Sequence, residues 1–182
     1  MKTQVWAHRG ASAYAPENTL EAFRLAAEMG ADGVELDVQL SRDGKLVVAH
    51  DETIDRVSNG TGYIKDYTLA QLKKLSFNRL FPDFKDARIP TLKEVYELLK
   101  PAGLTVNVEL KTGIILYPEI EEKVLALTAS MGMEDRVIYS SFCHPSLVRL
   151  KELDSGLKTG LLYSDGWIDA AAYGRHTVGA DA

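Results

Sequence analysis

Seven side chains with acid–base or ligating chemistry recur at strand-like spacing in the 182-residue sequence: His8, Arg9, Glu35, Asp37, His50, Glu109 and Lys111. In GVELDV, Glu35 and Asp37 alternate with Val34, Leu36 and Val38, so both acids share one strand face about 7 Å apart. LTVNVELK repeats the pattern, with Val106, Val108 and Leu110 on one face and Asn107, Glu109 and Lys111 on the other. Three carboxylates brought together in a sheet interior need a compensating positive charge. Lysine or arginine could supply it, and that is the ordinary role of a single Glu-x-Asp. A divalent cation is the alternative; an all-oxygen donor set suits Mg2+ or Ca2+, and no Cys/His cluster suggests zinc. His8 in WAHRG and His50 in VVAHD each close an apolar run. Parallel α/β sheets place ligands at such C-terminal strand ends. The whole set suits hydrolysis of a phosphate ester. Arg9 and Lys111 would hold phosphoryl oxygens, while the two imidazoles exchange protons with the entering and leaving oxygens. No glycine-rich phosphate loop, nucleophile elbow or dinucleotide fingerprint competes with this chemistry.

The elements that must position these groups alternate. Strand-like runs QVWAH, GVELDV, KLVVAH, LTVNVEL, RVIYSSF and LKTGLLY are mostly separated by helix-like stretches, the rhythm of a parallel sheet covered by helices. Helix starts are marked by Asn18 with Glu21, Thr68 with Gln71, and Thr91 with Glu94, each pair three residues apart as a reciprocal cap requires. Gly30 and Gly103 fall at expected helix ends, and Pro145 suits a first helical turn. Residues 51–90 break the rhythm. They are too long and mixed for a simple loop and read as a small insertion at one mouth of the sheet.

Composition narrows the class further. With 46% hydrophobic residues the chain can bury one sizeable core, and a single domain over residues 1–182 is expected. A net charge of −5 disfavours nucleic acid as a partner, so an anionic ligand must be held by a local cluster. No apolar stretch approaches the ~20 residues of a membrane span, and stable membrane insertion is not expected. HRG is reached within eight residues, so no cleavable leader is expected. The lone Cys143 excludes an internal disulfide framework, so the cytoplasm is the expected compartment.

AHRGASAYAPENTLEAF, GADGVELDVQLSRDGKLVVAHDETIDRVSNGTG, RIPTLKEV and NVELK together resemble the glycerophosphodiester phosphodiesterase family, in order and in spacing. The resemblance implies a TIM-type (βα) barrel with a small insertion after the third strand. It also implies His8 and His50 as the acid/base pair, Glu35, Asp37 and Glu109 as ligands of Ca2+ or Mg2+, and Arg9 and Lys111 as phosphate contacts. The substrate implied is a glycerophosphodiester, released as glycerol 3-phosphate and an alcohol. A complete barrel of this type needs about 250 residues. Here the chain stops at GADA, where the seventh strand is expected, leaving about six of eight strands. The expectation is an incomplete barrel from a truncated sequence, with pairing of two copies into a homo-oligomer as the alternative. Two other functions compete: a phospholipase D-like lyase that stops at a cyclic phosphate, and a non-catalytic barrel that binds an anion or a partner chain. Ser141 and Phe142, at a strand end, are candidate ligand contacts; Cys143, His144, Trp167, Tyr173 and His176 are assigned no catalytic role.

Overall fold

The structure, a computed structural model, describes residues 3–182. Five parallel strands form one sheet in the order β1 (Trp6–His8), β2 (Gly33–Leu40), β4 (Thr105–Leu110), β5 (Val137–Ser141) and β6 (Thr159–Leu161). Each strand lies beside the next parallel one in the chain. That succession is the winding of a (βα) barrel, whereas a doubly wound sheet reverses its order part-way. Helices α1 (Leu20–Glu28), α3 (Leu92–Ala102), α4 (Ile120–Met131) and α5 (His144–Leu153) supply the crossovers.

The apolar periodicity explains the layering. Leu92, Val95, Tyr96 and Leu99 of α3 are fully buried at the spacing of one helical face. They pack in one core with Val34, Leu36 and Val38 of β2 and Val106, Val108 and Leu110 of β4. The alternate residues of those strands face the barrel interior. Thr91 and Glu94 form the expected reciprocal cap, as do Thr68 and Gln71 before the short helix α2 (Leu69–Leu72). The third expected cap needs correction: Thr19, not Asn18, caps α1, accepting from the Ala22 N–H. Asn18 is buried at φ +56°, and its side chain is committed elsewhere.

KLVVAH also departs from expectation. Its strand, β3 (Leu46–Val48), runs antiparallel to β2, pairing Val38 with Val48 and Leu40 with Leu46. Six strands are present among the described residues, but only five are parallel staves. At Val38, β2 pairs with β4 on one edge and β3 on the other, so β3 occupies the edge that β1 leaves after His8 pairs with Glu35. The consequence is geometric. β1 ascends to His8 and β3 descends along the same edge toward His50, with the Ala49 N–H donating to the Asp37 carbonyl at 3.0 Å. A hairpin that climbs past the barrel mouth and turns back brings two histidines from opposite directions to one level.

Residues beyond β3 carry a second apolar cluster. Ile54, Ile64, Leu72, Phe77 and Ile89 pack with Val47 and Ala49, on the side of β3 away from the main core. At the other edge of the sheet, Asp181 and Ala182 lie along β6. Both backbone N–H groups donate to the Thr159 carbonyl, and the Ala182 carbonyl accepts from the Leu161 N–H at 2.7 Å. Among the described residues, no helix is long and apolar enough to cross a membrane.

Candidate active site

Sheet register sets the site in two tiers. His8, Glu35 and Asn107 are paired neighbours on β1, β2 and β4, and Asp37, Glu109 and Ser140 are paired neighbours one tier nearer the mouth. Residues paired across parallel strands point to the same face. The alternation within each strand therefore delivers three carboxylates to one place. Glu35, Asp37 and Glu109 each offer an oxygen, and these oxygens lie within 4.8 Å of one another.

Two of the three acids are held above the ordinary carboxylate range. Burial, then the charge of Asp37, pushes Glu35 up to about 8, despite an opposing N–H from Arg9. Glu109 is raised for the same two reasons, against the pull of Lys111. Glu35 Oε1 and Asp37 Oδ1 are buried without a hydrogen-bond partner. Two orphaned acceptor oxygens inside an all-oxygen set fit a hard divalent ion.

The cations border the acids. Lys111 Nζ is 3.0 Å from Glu109 Oε1 and 3.9 Å from Asp37 Oδ1. Arg9 Nε is 3.6 Å from Asp37 Oδ2, and Arg9 Nη1 donates to Glu17 at 3.1 Å. The Arg9 backbone N–H donates to both the carbonyl and the carboxylate of Glu35. This sharp exit from β1 puts Arg9 at φ +57° and Gly10 at φ +78°. A Cβ on Gly10 would lie 2.8 Å from Ala22 atoms of α1, so the glycine of HRG permits both the turn and the close helix approach. Asn18, displaced from its expected cap, donates from Nδ2 to Asp37 Oδ2 at 2.8 Å. It braces a cluster acid from the PENT loop.

The two histidines differ in setting. His8 is exposed at the mouth, with Nε2 3.7 Å from Glu35 Oε2, and burial and Arg9 lower its pKa. His50 contributes to that lowering, which places both rings within one electrostatic neighbourhood. His50 Nδ1 lies 2.7 Å from Asp51 Oδ1. An ionised carboxylate only accepts, so Nδ1 carries the hydrogen and Nε2 is the nitrogen left for chemistry. Asp51 is gripped by Arg56 through Nε at 2.7 Å and Nη2 at 3.2 Å. The other side of the same guanidinium donates to both oxygens of Glu17 at 2.7 Å. One chain, Arg9–Glu17–Arg56–Asp51–His50, thus joins the PENT loop to the segment after β3.

Burial opposes ionisation of Asp51, but hydrogen bonds from Arg56 and His50 outweigh it and hold the carboxyl down at about 2. Between that value and the ordinary 3.8, the unfolded chain binds more protons than the folded one. The stability Asp51 contributes is therefore complete above about pH 4 and is lost as pH falls toward about 2. Asp51→Asn should flatten that part of the acid unfolding profile, read by urea denaturation from about pH 5 to about pH 2.5. An unchanged acid slope would contradict the link.

All seven expected groups stand around one mouth, on the ends of β1, β2 and β4 and after β3. Glu17, Gln39, Asp51 and Arg56 are not marked by the sequence as site residues, and Asn18 is marked only as a helix cap. Asp51 adjoins His50 and two of the others lie in PENT, but nothing local shows that they meet. Ser141, expected as a ligand contact, is buried and donates to the Leu110 carbonyl at 2.8 Å, tying β5 to β4; Phe142 is exposed at the rim. His144 is tethered to the Tyr173 hydroxyl and the Leu162 carbonyl beneath Trp167, a packing role.

The sequence profile of the Glycerophosphoryl diester phosphodiesterase family matches residues 8–179. The chain belongs to that family. Among its relatives, a glycerophosphodiester phosphodiesterase of Caldanaerobacter subterraneus subsp. tengcongensis is 53% identical over 170 residues, covering 93% of this chain and 70% of the relative. The human glycerophosphodiester phosphodiesterase 1 is 47% identical over 165 residues, covering 86% of this chain and 48% of the relative. Within the same family of folds, a glycerophosphodiester phosphodiesterase from Agrobacterium tumefaciens superposes with a TM-score of 0.79 at 37% identity, covering 87% of this chain and 66% of that one. An Oleispira antarctica phosphodiesterase in complex with the product sn-glycerol-3-phosphate superposes at 0.84 with 32% identity, covering 98% of this chain and 72% of that one. This family member therefore has the TIM-type barrel fold of its relatives and spans about two thirds of the length of several of them.

Proposed function

We propose that this chain carries the active site of a glycerophosphodiester phosphodiesterase, which hydrolyses a glycerophosphodiester to glycerol 3-phosphate and an alcohol. The observation that carries the reading is the convergence of His8 and His50 on a three-carboxylate cluster bordered by Arg9 and Lys111. In this reading Glu35, Asp37 and Glu109 hold Ca2+ or Mg2+. When bound, such an ion offsets the charge of the phosphodiester and of the three acids.

The remaining work falls to the protein's own groups. Arg9 and Lys111 bind the phosphoryl oxygens and fix the diester between the imidazoles. One imidazole takes the proton of the glycerol 2-hydroxyl as its oxygen bonds to phosphorus; the other gives a proton to the departing alcohol oxygen as the P–O bond breaks. Water then opens the resulting cyclic phosphate with the proton transfers reversed. His50, with Nδ1 engaged by Asp51, presents Nε2 to this exchange. Residues 51–90 act as a small subdomain beside the mouth, within one barrel domain. The reading also takes the protein to be cytoplasmic, since Cys143 is free.

Incubation with glycerophosphocholine and either cation should release glycerol 3-phosphate, with activity abolished by chelation and restored by adding the cation back. Turnover unaffected by chelation, or accumulation of cyclic phosphate as the final product in phosphorus NMR, would overturn it.

A further inference from the structure

Beyond the two acids, the interior face of β2 carries a residue that is neither an acid nor apolar. Glu35, Asp37 and Gln39 follow one another at strand spacing, and Gln39 is fully buried. Its Nε2 lies 2.9 Å from the Ala49 carbonyl oxygen, 3.2 Å from that of His50 and 2.7 Å from that of Asp51. Its Oε1 accepts from the Tyr117 hydroxyl at 2.9 Å. Three carbonyls can only accept, so the amide nitrogen must face them and the oxygen must face the tyrosine. Tyr117, in the loop between β4 and α4, is itself buried, and burial raises its pKa and keeps the hydroxyl a donor.

We propose that Gln39, braced by Tyr117, is a positioning residue that sets the backbone of residues 49–51 and so aims His50 at the reacting phosphate. The inference rests on the proposed acid/base role of His50 and extends it to residues that touch no substrate. Three consecutive carbonyls turned onto one side-chain amide is not the pairing of a regular strand, which would send successive carbonyls to opposite edges. The segment leaves β3 after Val48, so Gln39 holds the backbone where the ladder has stopped doing so. Asp51 and Arg56 then orient the ring from the side-chain end. Few side chains could replace Gln39. Glutamate would set a carboxylate against three carbonyl oxygens, lysine would offer nothing to Tyr117, and methionine keeps the length without a donor. The same face of one strand thus carries two acids of the cation cluster and the clamp for a histidine.

A mere packing role for Gln39 would weaken the fold without acting through His50, and a double-mutant cycle separates the two. Gln39→Met and Tyr117→Phe are each made in the wild-type and His50→Ala backgrounds, and kcat and KM for glycerophosphocholine are measured below each variant's melting temperature. In the wild-type background we expect kcat to fall about 10–100-fold for Gln39→Met and several-fold for Tyr117→Phe, with KM within about twofold. In the His50→Ala background both should have almost no further effect. Equal losses in the two backgrounds, or unchanged kcat for both variants with wild-type His50, would overturn the proposal. If Gln39→Met does not fold, Tyr117→Phe, which removes only the bracing hydroxyl, decides by the same comparison. Wild-type activity in His50→Ala alone would instead remove the proposed role of His50.

Discussion

Alanine at His8 or at His50 is expected to lower kcat by about 10²–10⁴-fold while leaving the protein folded. His8 ends β1 and His50 follows β3, which runs toward β1 along the same edge of β2, so neither imidazole can take over the other's position. The side chain of His8 is 68% exposed, and its ion-pair contact, with Glu35, is a loose one at 3.7 Å. Its removal should therefore change the melting temperature little, and the loss will be in chemistry. His50 is held by Asp51, so its removal leaves a carboxylate that Arg56 still neutralises. Steady-state kinetics with glycerophosphocholine, beside thermal unfolding of each variant, checks the expectation. Undiminished turnover in either variant would remove that residue from the proposed acid/base pair.

Glu35→Gln should have opposite effects on stability and on activity. Without a cation, burial and the charge of Asp37 hold Glu35 up at about 8, well above its ordinary 4.5. Between those values the folded chain binds more protons than the unfolded chain, so stability falls as pH rises. Chelated wild-type protein should lose stability from about pH 5 to about pH 8, and the Glu35→Gln variant should escape the part of that loss that Glu35 carries, because a neutral amide has no proton to release, while Glu109 keeps its own. At about pH 8 the variant should be more stable by on the order of 1–4 kcal/mol in urea unfolding. Ca2+ or Mg2+ should abolish the difference by stabilising the wild type, since a ligand that binds only the folded state raises its stability. The same substitution removes a proposed ligand and should reduce cation-dependent turnover by at least about 100-fold. Identical pH slopes for chelated wild type and variant would show that the three acids do not carry this strain.

The stability of the cluster and the reach of the histidines depend on information of different kinds. That Glu35 shares a face with Asp37, and Glu109 with Lys111, follows from the two-residue period of a strand and was legible in GVELDV and NVELK. The caps at Thr68 and Thr91 were equally local, each closing over three residues. At Asn18 the same local logic failed. A tertiary bond to Asp37, nineteen residues away, took the side chain and left the cap to Thr19. The direction of β3 could not be read from KLVVAH either. Its apolar run is compatible with a parallel or an antiparallel neighbour, and only the five-residue reversal at 41–45 makes a hairpin of it.

Sequence alone determined the residue types, their alternation and the family resemblance, because strand period, turn chemistry and motif order are properties of neighbouring positions. Tertiary structure decided which tiers meet: His8 beside Glu35, Asp37 beside Glu109, and Arg56 across to Glu17, thirty-nine residues away. Register between strands and the path of a chain that leaves the sheet and returns are set by packing over the whole fold. A single buried amide, Gln39, could be recognised as a clamp only once the carbonyls of residues 49–51 were seen to turn toward it.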